Sequence, residues 1–454
     1  MSPQVPVYTL SFVRSMLTEQ SGRACGWFKD LELKTVFQPT FSLPHKRAFG
    51  FEANLRGAAG DGSTVAPREM FAPSGNFSET CLLDLIGTTM HIHNFAGRQD
   101  SPGLLFLNLH PEVFLDHEHS APFLADAFVT YRVPGERVVL DIPGYLLKIE
   151  RLDAAIAAYR ALGCLISIDD LGVENADLDS VVRTNPDIVK IDHEVVAGAV
   201  ANESVRKTLL HAVSLLHEMG TLVLFEGIES EDEALLAIDT DADFASGFYF
   251  GPLFEDVGEF HEPARVLDRL WSRYTEKREP IRSTEAETRA SLDEEILHSS
   301  HVKKLRSASP SDIHRYRDER RPFISAIKQA AALMEAGAGF EAACADFLKL
   351  DGAIRCFLLD ADGASIGPDL SGAYAPAPQG TNFSDLLEPG DGNWSRRDFF
   401  RRAMHEPEVV QVTRRYRSLN GYAHCVTFSI AARVNEQPVV ICGDVDWSTH
   451  ARVH

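Results

Sequence analysis

"CLISIDDLGVENADLD", residues 164–179, decides how this chain is read. An apolar run, Cys164 to Ile168, leads straight into two adjacent carboxylates, Asp169 and Asp170. Like charges side by side at the end of a buried strand repel, so they either face solvent or hold cations. The theme recurs outward from this point, starting near Leu33: a short apolar run, a polar residue, then a segment of helical period. The runs are "KTVFQP", "RAFGFE", "GLLFLNL", "RVVLD", "CLISIDD", "DIVKID", "TLVLFEG" and "FASGFYFG". Between most of them lie helical patterns such as "LLKIERLDAAIAAYRALG" and "SVRKTLLHAVSLLHEMG", both ending in the glycine expected at a helix stop. Strands alternating with helices imply a parallel sheet. About eight such units within roughly 235 residues predict an α/β fold, a (β/α)8 TIM-like barrel. An open doubly wound sheet is the competitor, which periodicity alone leaves open.

The barrel is expected over residues 26–262, after an N-terminal segment, 1–25. Residues 263–322 are charged and helix-prone, with Pro280 as an interruption, and read as a helical connector. Its stripe of Val266, Leu267, Leu270, Trp271 and Tyr274 reads as packing rather than a ligand site. From 323 to 454 a helix ("FISAIKQAAALMEAG") precedes strand-like pieces, "IRCFLLDADG", "EVVQVTRRYRSL", "HCVTFSIAARV" and "PVVICGDVDW". With Asp-Gly and Asn-Gly turns among them, these predict a small α+β domain with an antiparallel sheet.

Composition narrows the function classes. The net charge of -22 argues against a protein that coats a nucleic-acid polymer. A small anion would need local metal ions or arginines to offset that field. Cysteines 25, 81, 164, 344, 356, 425 and 442 are scattered, with no CxxC pair, as fits reduced thiols in a cytosolic protein. No run of about 18 apolar residues of the bilayer-spanning kind is present. "MSPQVPVYTLSFVRSML" lacks the basic and apolar regions of a signal peptide, so a soluble cytoplasmic protein is expected.

Glu52, Asn108, Asp141, Asp169, Asp170, Lys190 and Glu226 each end, or nearly end, an apolar run. In a parallel barrel the C-terminal strand ends open onto one face, where these side chains would meet. Oxygen-rich sets of this kind suit hard cations such as Mg2+ or Mn2+. Two metals about 4 Å apart activate a water and stabilise an in-line phosphodiester displacement. Lys190 would orient that water or stabilise charge; acting as a base would require its pKa to be lowered. His91 and His93, two apart on an expected helix, point to different faces and make a poor zinc pair. His110 reads as a loop histidine.

These ordered motifs resemble the EAL-domain cyclic di-GMP phosphodiesterases over roughly residues 30–255. The family's Glu-Ala-Leu with its following arginine is matched by "FEANLRG", giving Glu52 and Arg56. Its asparagine is matched by Asn108 in "FLNLHP", its Asp-Asp pair by Asp169 and Asp170, its Lys-Ile-Asp by Lys190 to Asp192, and its Ala-Glu-Gly-Val-Glu by "FEGIE" with Glu226 and Glu229. The resemblance implies hydrolysis of cyclic di-GMP to linear pGpG with two Mg2+ or Mn2+ ions. It implies metal ligation by Glu52, Asn108, Asp141, Asp169, Asp170 and Glu226, with Asp169 bridging. It further implies that Lys190 assists the water, that Glu229 braces the loop after the Asp pair, and that Gln38, Asn54, Arg56 and Ser246 contact the ligand, with Arg56 clamping a phosphate. A homodimer is implied as well.

The departures bear on activity. The signature leucine is Asn54, and the glutamate of Glu-Ile-Thr-Glu is Asp141 in "LDIPG", one methylene shorter. The loop Asp-Asp-Phe-Gly-Thr-Gly-Tyr-Ser-Ser-Leu reads "DDLGVENADL", keeping Gly172 and Leu178, and Gln-Gly-Tyr reads Ser246-Gly247-Phe248. The loop keeps its length, Lys190 standing 20 positions after Asp170 (190 - 170). Asp141 and the altered loop would allow occupancy by one metal. The alternative is therefore a catalytically impaired EAL domain acting as a cyclic di-GMP receptor or signalling scaffold. No Gly-Gly-Asp-Glu-Phe-like segment supports cyclase activity.

The C-terminal part resembles a PAS/Cache-like sensor fold, through "RRDFFRRA", "VTRRYRSL", "CVTFSI" and "VVICGDVDW". That resemblance implies a cradle for an unknown small ligand, with Arg397, Tyr416 and Asp444 as its residues; a dimerisation module without ligand is the other reading.

Overall fold

The computed structural model describes residues 8–71, 77–96, 103–170, 178–260, 264–278, 310–375, 392–418 and 425–448. It divides into two compact units, Met1–Ala264 and Arg265–His454.

The first unit is built on eleven strands: β1 (Leu17–Gln20), β2 (Arg23–Phe28), β3 (Leu31–Ser42), β4 (Arg47–Ala58), β5 (Thr64–Val65), β6 (Leu104–Asn108), β7 (Val138–Pro143), β8 (Leu165–Asp169), β9 (Ile188–Ile191), β10 (Leu222–Phe225) and β11 (Phe244–Ser246). The order β1-β2-β3-β11-β10-β9-β8-β7-β6-β4-β5, closed by β3 pairing with β4, makes a barrel of β3, β4 and β6 to β11. The apolar runs of β6 to β10 are covered on both sides, which is why they read as continuous hydrophobic stretches. Helices follow with clear starts: Asp192 caps His193–Ala201, Asn202 caps Glu203–Glu218, and Ser230 with Glu233 forms a capping box on Glu231–Asp239.

One expectation is corrected. The sheet is not parallel throughout, because β3 runs antiparallel to both β4 and β11. No helix separates β3 from β4; the short turn between Ser42 and Arg47 reverses the chain, and a tight hairpin yields only antiparallel pairing. A bulge interrupts this hairpin: Thr40 faces Gly50 and Phe41 faces Ala48, leaving Phe49 as the extra residue. Its ring stacks on Phe244 at 3.8 Å and meets Phe106 edge-on at 5.7 Å.

The second unit holds helices Ala264–Arg278, Pro310–Glu335, Phe340–Cys344 and Asp398–His405. Its antiparallel sheet contains β12 (Ala353–Leu359), β13 (Leu370–Ser371), β14 (Gln411–Val412), β15 (Cys425–Val434) and β16 (Gln437–Asp446), in the order β13-β12-β16-β15-β14. The expected connector boundary at residue 322 falls inside the continuous helix Pro310–Glu335. Phe323, Ile327, Ala330 and Met334 of that helix join Phe347, Phe428, Ile441 and Trp447 in one core. Phe399, Phe400 and Ala403 pack with Phe357, Val440 and Cys442 in another, so apolar clusters form on both faces of the sheet. The turn between β15 and β16 is Asn435-Glu436, both at positive φ as a two-residue hairpin demands. The expected Asn-Gly turn, Asn420-Gly421, lies outside the described residues, and "EVVQVTRRYRSL" forms only the short β14 and a bridge at Tyr416. All seven cysteines are free and buried. Among the described residues no helix is long and apolar enough to cross a membrane.

Candidate active site

The strand ends gather most of the expected side chains at one mouth. Glu52 lies on β4 opposite Gln38; Asn108 ends β6 in register with Asp141; Asp169 ends β8; Lys190 lies in β9; Glu226 follows β10. Along β4, Glu52, Asn54 and Arg56 are partly exposed while Phe51, Ala53 and Leu55 are buried, so the three polar residues share a face.

Lys190 is the hub. Its Nζ stands 2.8 Å from Asp141 Oδ2, 2.8 Å from Glu226 Oε1 and 3.5 Å from Glu52 Oε1, with a side chain 1% exposed. Asn108 Nδ2 donates to Glu52 Oε1 at 2.7 Å. Asp169 Oδ1 accepts the Asp170 N–H at 2.9 Å. The Nζ also lies 5.6 Å from the centre of the Phe106 ring, within the aromatic layer of Phe49 and Phe244.

This crowding separates the protonation states. Burial disfavours charge on Lys190, but Asp141, Asp169, Glu226 and Glu52 outweigh it and hold the ammonium well above its usual range. Burial lifts Asp141 to about 7 even with Lys190 beside it, and Asp169 and Glu52 add to the rise. Glu226 is likewise raised, by burial and then by Asp169 and Glu52, against the pull of Lys190. Burial opposes ionisation of Asp169 too, yet Lys190, neighbouring Glu226 and the Asp170 N–H hold it below the usual range. Neighbouring carboxyls that share one cation separate in this way, one keeping a proton that the other accepts.

Asp141 Oδ1 and Oδ2 and Lys190 Nζ are buried without a well-aligned hydrogen bond; the short Lys190–Asp141 contact is an ion pair of poor angle. A buried Asp141 Oδ1 without a partner, within a set of oxygen donors, matches the chemistry of a hard divalent cation. Among the described residues no three His, Cys, Asp or Glu side chains already stand as a metal cage. The chemistry of the donor set, carboxylates and one amide, fits such cations.

The other expected residues are distributed as follows. Asp170 is exposed and left-handed, at φ +53°. Arg56 Nη1 donates to the Leu55 carbonyl at 2.9 Å; burial lowers its pKa and Glu52 opposes the change. Ser246 is buried, and its carbonyl accepts the Ile228 N–H at 2.9 Å, so this segment supports the Glu226 loop. Gly247 is required there: a Cβ would meet Ile228 N and O at 2.2 Å, at φ +149°. Glu229 is exposed, and its N–H donates to Glu233 Oε2 at 2.7 Å. The loop it was expected to brace, residues 171–177 with Gly172, lies outside the described residues. His91 Nδ1 meets Thr35 Oγ1 at 2.9 Å and His93 stacks on Tyr131, so the two serve different faces.

Sequence reasoning missed Asp84. This buried residue of helix Phe77–Ala96 accepts the His110 N–H at 3.0 Å and so fixes the backbone just beyond Asn108. An acid inside the apolar run "CLLDLIG" was the available signal.

In the second unit, Tyr416 and Asp444 do meet: the Tyr416 hydroxyl donates to Asp444 Oδ1 at 3.5 Å and lies 2.7 Å from Thr427 Oγ1. Arg397 lines a pocket with Tyr416. Arg355, not foreseen, bonds Asp444 Oδ2 through Nε at 2.8 Å and Asp369 through Nη1.

The sequence pattern of the EAL domain family matches residues 23–252, just over half of the chain. The chain belongs to the EAL domain family. Among curated EAL relatives it is 28% identical to the uncharacterised EAL-domain containing protein YkuI of Bacillus subtilis over 153 residues, 33% of this chain and 38% of that protein. It is 32% identical over 95 residues to the cyclic di-GMP phosphodiesterase TpdA of Vibrio parahaemolyticus, 21% of this chain and 17% of that enzyme. The chain thus spans well under half the length of either relative. A crystal structure of the Bacillus subtilis YkuI protein, with an EAL domain, in complex with cyclic di-GMP and calcium, aligns at a TM-score of 0.49 and 20% identity, covering 92% of this chain and 96% of that one.

Proposed function

We propose that the EAL barrel hydrolyses cyclic di-GMP to linear pGpG with divalent ions, Mg2+ or Mn2+, and that the second unit modulates it as a sensor-like domain in a cytoplasmic homodimer. The observation that carries this reading is the mouth in which Lys190 joins Glu52, Asp141 and Glu226, with Asn108 bonded to Glu52 and Asp169 ending the adjacent strand β8. A divalent pair supplies an activated water and neutralises the phosphoryl charge of the transition state. Glu52, Asn108, Asp141, Asp169, Asp170 and Glu226 would hold it. Lys190, kept charged by its carboxylates, acts as a hydrogen-bond donor and cation rather than as a base. Arg56, on the same face of β4 as Glu52, contacts a phosphate, with Gln38 and Asn54 beside it. Glu229 steadies the loop after the aspartate pair.

A second reading, a receptor that binds without turnover, is favoured by Asn54, by the short Asp141 arm and by the burial of Ser246. Incubation with cyclic di-GMP and Mn2+, followed by chromatography, separates the two. Linear pGpG supports the enzyme, calorimetric binding without product supports the receptor, and no binding overturns both. Asp169→Asn is expected to abolish product while leaving the melting temperature within a few degrees of wild type.

A further inference from the structure

Ser167 of β8 is buried, and its Oγ has no hydrogen-bond partner among the described residues. We propose that Ser167 is a positioning residue of the mouth: its hydroxyl donates to Asp141 and holds that carboxylate toward a divalent ion. This role rests on the divalent-ion reading of the mouth proposed above.

Strand register sets the two residues side by side. Asn108 of β6 pairs with Asp141 of β7, Asp141 with Ser167, and Ser167 with Ile188 of β9. In-register residues of adjacent parallel strands project from the same face of a sheet, and so do residues two apart on one strand. Ile188 stands two before Lys190, whose Nζ meets Asp141, Glu226 and Glu52, so this row points into the barrel. Adjacent strands lie about 4.8 Å apart, a gap that a serine hydroxyl and an aspartate carboxylate bridge by side-chain rotation alone. Ile188, the in-register neighbour on the other side, carries no polar side-chain atom. The β8 backbone is pinned just before Ser167. Asp187 Oδ2 accepts the Ile166 N–H at 2.9 Å, and the Asp187 N–H donates to the Ile166 carbonyl at 2.8 Å.

The two groups are chemically complementary. Asp141 Oδ1 is a buried acceptor without a partner, while Oδ2 lies 2.8 Å from Lys190 Nζ. One bond from Ser167 satisfies both orphaned atoms, each of which is costly to leave unpaired. A carboxylate has about four lone-pair sites, so Oδ1 accepts the hydroxyl and still offers a lone pair to a cation. With Lys190 at one oxygen and Ser167 at the other, the short Asp141 arm loses little freedom when an ion binds. Hydrogen-bond partners of ligating carboxylates typically change metal affinity by about 10- to 100-fold when removed.

Calorimetric titration of the chelator-treated full chain with Mn2+ is the test. Ser167→Ala is expected to weaken Mn2+ binding about tenfold or more. Ser167→Thr, which keeps the hydroxyl, is expected to restore most of the affinity. Ser167→Cys, a much weaker donor, is expected to bind as poorly as Ser167→Ala, and replaces it should the alanine variant fail to fold. A serine that only packs would move the metal-free melting temperature and leave Mn2+ affinity unchanged. Wild-type affinity in the folded alanine or cysteine variant therefore overturns the proposal, as does a folded Ser167→Thr variant no tighter than Ser167→Ala. Wild-type protein that binds no Mn2+ overturns the divalent-ion reading itself, and this role with it.

Discussion

At the scale of single residues, one ammonium organises the mouth. Lys190 is the cation common to Asp141, Glu226 and Glu52, and removing one partner of a buried ionic cluster strands the others. Lys190→Met is expected to cost about 3–5 kcal/mol in urea unfolding measured without divalent ions. A loss below about 1 kcal/mol would mean that the carboxylates rearrange to reach solvent. Gly247 is the second such point, since any side chain there enters the backbone of Ile228. Gly247→Ala is expected to lower the melting temperature by several degrees, consistent with a penalty of about 3 kcal/mol or more, and to displace the Glu226 loop. The pair of aspartates was visible in the chain itself, but the position of Lys190 among three carboxylates was not, because those contacts join residues of four different strands and loops.

At the scale of elements, helix Phe77–Ala96 and the β3–β4 hairpin shape the site from outside and inside. Burial raises Asp84 on that helix to about 7, while the His110 N–H pulls the other way. Its unfolded value is about 3.9, so the folded state keeps a proton that the unfolded chain releases. The stability this gives is complete below about pH 4 and is lost as pH climbs to about 7, at up to about 1.4 kcal/mol per unit. Asp84→Asn is therefore expected to gain on wild type with rising pH across that window in urea unfolding; parallel profiles would contradict the assignment. In the hairpin, Phe49→Ala empties the bulge against Phe244 and Phe106 and is expected to cost about 3–5 kcal/mol. The strands themselves were legible as apolar runs and the helices as 3.6-residue stripes. Strand direction in β3 and the extra residue in β4 were not, since both depend on pairing across the sheet.

At the scale of the whole molecule, a net charge of -22 repels itself. Raising NaCl from roughly 20 mM to roughly 300 mM shortens the screening distance and is expected to raise the melting temperature; a flat or falling curve would show that local ion pairs dominate. Divalent ions should act far more strongly than their ionic strength. Mn2+ added to chelator-treated protein is expected to raise the melting temperature with the logarithm of its concentration, stabilising by about 2.7 kcal/mol at a hundredfold excess over its dissociation constant. A rise no larger than NaCl gives at equal ionic strength would count against metal ligation at the Lys190 mouth.

The sequence by itself determined the alternation of buried strands and amphipathic helices, the placement of carboxylates at strand ends and the match to the EAL pattern. These are local properties: burial, period and residue order are written along the chain. Only the tertiary structure decided that β3 runs against its neighbours, that Lys190 stands between Asp141 and Glu226, that Asp84 fixes the backbone beyond Asn108, and that Arg355 binds Asp444. Barrel closure and charge compensation bring together groups far apart in sequence, and their energies depend on distance through space, which no linear pattern contains.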